Sequence, residues 1–306
     1  MLTLRLMIRV ITLCGSLGVS VFASEISDYT VCARALTAPD GTRYQVTREY
    51  QKNGVPFALV VDLKSCQISE KRRSDIEKWS PIPSDQASTD SFVLALNNAT
   101  SIPTPLQNAG LTHKDRLTPF LTMDLCPSTR GLDRDFLVWI LTTTPQRPLP
   151  IGFSITGKWL ETHERDFQWL LDQEHQGHFA ITWINHSTTH PYDKSKPLTA
   201  TFLLTEGTDF EYEVFTVEKM LLERGCVPSV FFRFPGLVSS DTLIEKLRDW
   251  SLIPIGSDAW IAKGQHPKPG SIVLMHANGN EPMGLRLFKE LGPEKLNKLR
   301  WGPLTD

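Results

Sequence analysis

The sequence predicts an α/β fold built on a parallel sheet, either doubly wound or barrel-like, preceded by a small strand-rich region. Three observations predict it. From residue 117 onward, apolar runs of strand length alternate with amphipathic helical stretches, the texture of a parallel sheet with helices packed outside it. Before that, residues 24–80 read as short strands punctuated by turn signals. Finally, strand candidates of the second half run straight into unusual polar residues, where reactive groups gather in such folds.

Taken in order, Tyr44-Gln45-Val46-Thr47 follows the turn signal Pro39-Asp40-Gly41, and Phe57-Ala58-Leu59-Val60-Val61 follows Lys52-Asn53-Gly54. Each reads as a strand opened by a turn. The charged run 70–78 predicts one short helix. Residues 80–91 are rich in Pro, Ser and Asp, and two prolines fall in 101–105, so a boundary is expected near residue 110. The division is then 1–23, 24–110 and 111–306. In the last part, strands are expected at 120–123, 151–155, 180–183, 230–232 and 272–275, and helices at 133–142, 214–224 and 242–250.

The 306 residues suffice for a large domain with a small accessory one. With 41% hydrophobic and 22% charged residues the chain is an ordinary globular one. Residues 1–23 carry two charges, Arg5 and Arg9, ahead of an apolar run at 10–22, and Val21-Phe22-Ala23 reads as a small-residue cleavage site. That is a secretory signal layout with Ser24 as the first mature residue. The run, about 13 residues, is short of the roughly 20 a spanning helix needs, so an exported protein, periplasmic or secreted and without stable membrane insertion, is expected. Losing the two arginines takes the net charge from −2 to −4. No basic excess is left for a nucleic-acid partner. Cys32, Cys66, Cys126 and Cys226 would meet an oxidising compartment, where four cysteines allow three pairings. Their neighbours favour Cys32 with Cys66, and Cys126 with Cys226 or else a pair of buried thiols.

Asp124 follows the strand at 120–123, Asn185-His186 the one at 180–183, Arg233 the one at 230–232, and His276 the one at 272–275. One carboxylate, a guanidinium and two or three imidazoles would converge on one rim. Within Asn185-His186-Ser187-Thr188-Thr189-His190-Pro191, two histidines stand four apart. A zinc-protease helix needs Glu after the first histidine, and Ser187 stands there. Pro191 also turns His190 away from helical geometry. A strand-end loop with two imidazole ligands fits better, and zinc is the natural guest. No Gly-x-Ser-x-Gly elbow supplies a serine nucleophile.

These motifs, in order across residues 117 to about 290, resemble those of the polysaccharide deacetylase (NodB-like) superfamily, carbohydrate esterase family 4. Leu121-Thr122-Met123-Asp124 is similar to the opening Thr-Phe-Asp-Asp motif, and His186-Ser187-Thr188-Thr189-His190-Pro191 to His-(Ser/Thr)-x-x-His-Pro. Arg233-Phe234-Pro235-Gly236 resembles the Arg-x-Pro motif, Asp258-Ala259-Trp260 the Asp-Trp motif, and Leu274-Met275-His276 the closing Leu-x-His. The resemblance implies a distorted (β/α) barrel with fewer than eight units, and hydrolysis of N-acetyl, less often O-acetyl, groups on an amino-sugar polysaccharide or oligosaccharide. It implies His186 and His190 as ligands of a divalent metal, zinc above all, and Asp124 as general base oriented by Arg233. His276 would protonate the leaving amine with Asp258 favouring its charged form, and Trp260 and Pro235 would line the substrate site.

Two departures open alternatives. Where the resemblance asks for a second Asp, this chain has Leu125, which cannot ligate. Cys126 would substitute, or two histidines would suffice with Asp124 acting directly or through water, or the metal would be lost. The last case leaves a catalytically silent carbohydrate-binding protein. Gly236 directly follows Pro235 where a residue usually intervenes, which alters the expected groove. A metal hydrolase of another amide or ester is the third functional reading.

Overall fold

The computed structural model describes residues 24–83, 86 and 88–305; the signal segment expected at 1–23 lies outside them. Five short strands come first: β1 (Ile26–Thr37), β2 (Arg43–Lys52), β3 (Val55–Asp62), β4 (Ile68–Arg72) and β5 (Ser80–Pro81). They form an antiparallel sheet in the order β4-β3-β2-β1-β5. The charged run 70–78, expected as one helix, is divided. Its first residues complete β4, and only Arg73–Ile76 are helical. Pairing with β3 along Phe57–Val61 outweighs the run's helical composition.

Seven parallel strands follow: β6 (Phe120–Leu125), β7 (Leu149–Ile155), β8 (Phe179–Asn185), β9 (Phe231–Phe232), β10 (Ile253–Pro254), β11 (Ala259–Trp260) and β12 (Ile272–His276). Their order, β10-β9-β8-β7-β6-β12-β11, makes a curled sheet whose ends do not pair. A stretch of the linker bridges the seam instead: Leu111 pairs with Ile255 beyond β10, and His113 with Ser271 before β12. The chain near the expected boundary is therefore stitched into the curled sheet on both sides.

Strand alternation explains why these runs read as apolar throughout. Leu121, Met123 and Leu125 of β6, with Ile151, Phe153 and Ile155 of β7, pack against the outer helices. The intervening Thr122, Asp124 and Ser154 belong to the other face, where Phe120, Ile184 and Ile272 fill one end. Helices Arg134–Thr143, Phe210–Glu223, Asp241–Asp249 and Pro282–Glu290 cover the outside.

The N-terminal sheet is joined to the barrel by a buried ion pair. Arg48 on β2 donates from Nε to Glu218 Oε2 (2.8 Å) and from Nη2 to Oε1 (3.0 Å), and both side chains are 2% exposed. The Tyr29 hydroxyl donates to the same carboxylate at 2.6 Å, and Arg48 Nη1 donates to the Trp250 carbonyl at 2.7 Å.

Neither expected disulfide forms; all four described cysteines are free. Cys32 lies on β1 and Cys66 in the turn after β3, with β2 between them. Two strand spacings are roughly 10 Å, beyond the roughly 7 Å a disulfide tolerates between Cα atoms. Cys126 follows the C-terminal end of β6, whereas Cys226 precedes β9 on the opposite edge of the sheet. Burial near Glu174 pushes the Cys226 thiol up to about 12.

Two outcomes follow. Thiol titration of denatured, unreduced mature protein should find Cys32, Cys66, Cys126 and Cys226 all reactive; a pair that reacts only after reduction contradicts this arrangement. In urea unfolding, Glu218→Ala should cost about 3–5 kcal/mol by stranding Arg48, and the apolar double replacement Arg48→Met/Glu218→Leu should recover most of that loss.

Candidate active site

The parallel register sets the site. His276 pairs with Asp124 across β12 and β6, and Asp124 with Ser154 across β6 and β7. Asn185 pairs with Ile155 and with Phe232. The residues just past that level, Cys126, His186 and Arg233, therefore meet at one rim, as the strand-end expectation required.

Arg233 is fully buried and its Nη1 lies 2.7 Å from Asp124 Oδ1, donating also to Thr122 Oγ1 at 2.7 Å; Nη2 donates to the Gly256 carbonyl at 3.2 Å. Burial pushes the Asp124 carboxyl up, but Arg233, His186 and His276 outweigh it and hold it down at about 2. Asp124 is thus an anion at physiological pH, with Oδ2 left facing His186 Nε2 at 3.8 Å.

His186 Nδ1–H donates to the Arg233 carbonyl at 2.7 Å, since a carbonyl can only accept. In the neutral ring this puts the proton on Nδ1 and turns Nε2 into the cleft, while burial is outweighed by Asp124 and Cys126, which raise the imidazole above its ordinary value. The Cys126 Sγ lies 3.5 Å from that nitrogen. Burial favours the Cys126 thiol, yet His190 and His186 pull it well below its ordinary range. Ligand atoms of Cys126, His186 and His190 all lie within 4.8 Å of one another.

The loop carrying the histidines is coiled by two left-handed residues, Ser187 (φ 70°) and His190 (φ 48°), so His190 is indeed not helical. Such conformations cost about 1–3 kcal/mol and need external support. The support is dense. Asn185 Oδ1 accepts from Ser187 N (3.0 Å), and Ser187 Oγ from His190 N (3.2 Å). The buried Glu213, in the first turn of Phe210–Glu223, accepts from Thr189 N at 2.8 Å and from the Thr189 hydroxyl. Gly157 lets this loop sit against the start of the helix Gly157–Thr162 that follows β7; a Cβ there would lie 3.1 Å from the Thr188 Cα.

His276 has a different carboxylate from the one expected. Glu281 Oε2 lies 2.8 Å from its Nδ1 and accepts from Trp260 Nε1 at 2.9 Å. Burial opposes the imidazolium, but Cys126, Glu281 and Asp124 raise His276 well above its ordinary value. Asp258 instead lies 2.9 Å from His113 Nδ1 and accepts from Ile272 N at 3.1 Å. Ile272 opens β12 and His276 closes it, so four residues, about 13 Å, separate Asp258 from the imidazole it was expected to serve.

The cleft above these groups has a volume of about 520 Å³. Trp260 lines it, as expected. Pro235 does not: it is buried behind the wall, and Gly236 and Leu237 take the lining position. Gly236 also answers the shortened motif. It has φ 60°, and a Cβ on it would stand 2.4 Å from the tip of the Phe202 ring, which packs against the bare backbone. Tyr192 stacks on the other side of Phe202 at 4.9 Å and leaves its ring exposed at the mouth. Sequence reasoning missed Glu281, Glu213 and this aromatic pair. Glu281 carried one signal, its place directly before Pro282 at a helix start five residues after His276.

No protein-family model matches the chain. Among solved structures, a family 4 carbohydrate esterase from Bacillus anthracis is similar at 18% identity, over 65% of this chain and 86% of that one, with a TM-score of 0.47. Bacillus subtilis PdaA, another family 4 carbohydrate esterase, is similar at 16% identity over 69% and 85% (TM-score 0.42). A third, the wild-type BA3943 pseudoenzyme of that family from Bacillus anthracis, is similar at 16% over 66% and 68% (TM-score 0.44).

Replacing Glu213 tests the loop's support. Glu213→Ala should unprotect the Thr189 amide in hydrogen exchange and cost about 1–3 kcal/mol, the loss expected when buried donors are orphaned. Unchanged Thr189 protection would show that the loop holds its left-handed turns without that carboxylate.

Proposed function

We propose that this chain is a metal-dependent hydrolase of the polysaccharide deacetylase type. It removes N-acetyl groups, less often O-acetyl groups, from an amino-sugar glycan outside the cytoplasm. One observation carries the reading: the Asp124 carboxylate held by Arg233, the His276 imidazole beside Glu281 and the imidazole pair His186/His190 line one cleft at the C-terminal rim of a parallel sheet.

The residues fit a divalent metal. His186 has its Nδ1 tied to a carbonyl and its Nε2 turned to the cleft beside Cys126 and Asp124, the usual outer support of a metal-binding imidazole. His186 and His190 would hold the ion, and a bound zinc would polarise the acetyl carbonyl and acidify water. Asp124 takes the proton of the attacking water through Oδ2, while Arg233 holds Oδ1 and keeps the carboxylate in place. His276, raised against the cost of burial above its ordinary value by Cys126, Glu281 and Asp124, gives its proton to the leaving amine nitrogen. The two groups are pushed in opposite directions by their surroundings, the acid/base division that hydrolysis requires. Tyr192 offers a ring face at the mouth and Trp260 a wall inside, apolar faces suited to the C–H faces of sugar rings.

Mature protein incubated with acetylated amino-sugar oligomers and peptidoglycan should release acetate. His186→Ala should abolish release, and Asp124→Asn should slow it about 10²–10⁴-fold. Turnover that survives His186→Ala overturns the reading. Glycan binding without turnover, indifferent to chelator, points instead to a silent carbohydrate-binding protein.

A further inference from the structure

We propose that Cys126 is the third metal ligand, making this a one-sulfur, two-nitrogen site that selects a thiophilic divalent ion such as zinc or cobalt. The proposal rests on the metal-dependent reading above and deepens it. Strand alternation supplies the first argument. Leu121, Met123 and Leu125 point outward into the helix layer, so a donor at position 125 would be turned away from the cleft unless β6 were distorted. Cys126 follows one step later, on the side that Thr122 and Asp124 share, and it lines the cleft. Its place is held from the backbone, where Asn278 Nδ2 donates to the Cys126 carbonyl at 2.5 Å.

The second argument is metric. Zn–S and Zn–N bonds across a tetrahedral angle place the two donor atoms about 3.6 Å apart. Cys126 Sγ and His186 Nε2 stand 3.5 Å apart. His190, a half-buried loop residue, completes a triad whose donor atoms all lie within 4.8 Å of one another. The third argument is the absence of a competing fate: Cys226 lies at the opposite edge of the sheet, and Cys126 is free. A thiolate among imidazoles favours zinc or cobalt and disfavours magnesium and calcium, which require oxygen donors.

The test is cobalt(II) titration of the metal-stripped mature protein, followed by absorption. One equivalent should bring a near-ultraviolet sulfur-to-cobalt charge-transfer band together with visible bands of low-coordinate cobalt. Cys126→Ser should lose the charge-transfer band and bind zinc about tenfold more weakly or worse. Cys126→Asp should keep the visible bands without the charge transfer, and Cys226→Ser should keep both. Circular dichroism of each variant controls for folding. Cobalt bound without a charge-transfer band, yet lost in His186→Ala, overturns the thiolate ligand while the metal-dependent reading stands. No cobalt or zinc binding by the wild-type protein overturns both.

Discussion

The constraint on which the site depends is the burial of Arg233. A guanidinium with no exposure must be neutralised and its donors satisfied, or it costs several kcal/mol. Asp124 supplies the charge, and Thr122, Ser154 and the Gly256 carbonyl supply acceptors for the two terminal nitrogens, at 2.7, 3.3 and 3.2 Å, while Nε alone finds no partner among the described residues. These partners come from β6, from β7 and from the segment after β10, so one side chain ties together strands on both sides of β8. Arg233 also places His186, because the carbonyl that accepts the imidazole proton is its own. A shift of β9 by one residue would turn the guanidinium outward and remove that acceptor together. The register of β9, the Asp124 carboxylate and the His186 imidazole are therefore fixed together.

That unity explains what could be read from the sequence. Parallel strands covered on both faces appear as unbroken apolar runs, and polar residues at their ends are conspicuous because nothing in the interior could accommodate them. Asp124, His186, Arg233 and His276 were legible for this reason, and the structure brings all four together. The helices at Arg134–Thr143, Phe210–Glu223 and Asp241–Asp249 were legible from their amphipathic texture, although the second begins at Phe210, capped by Asp209, and not at 214.

What was not legible depends on the path of loops. The carboxylate beside His276 was sought at Asp258, which precedes β12, but an acid there meets the strand's beginning. Glu281 reaches the imidazole because the chain turns back after β12 into the helix at Pro282, and no periodicity encodes that turn. Pro235 was placed in the cleft by its motif, yet a left-handed Gly236 rotates the lining to the next two residues. The cysteine pairings failed on a larger scale, since the separation of β1 from β3, or of one sheet edge from the other, is a property of topology and not of spacing along the chain.

Leu125 shows how strand geometry constrains which donor sets a regular β6 can present. With period two, residues 122 and 124 share the inner face, and 121, 123 and 125 belong to the helix layer. A leucine at 125 contributes to a core that includes Phe136, Leu137 and Ile155, which a carboxylate there would disrupt. The next inward position is 126, beyond the last paired residue, where the chain is freer to bring a donor toward His186. A sulfur at that position also reaches further than an oxygen, since Zn–S bonds exceed Zn–O bonds by a few tenths of an ångström. With the ligand set proposed above, the apolar residue at 125 and the thiol at 126 are two halves of one solution, in which the outer core keeps a leucine and the cleft keeps a third donor beside the two histidines.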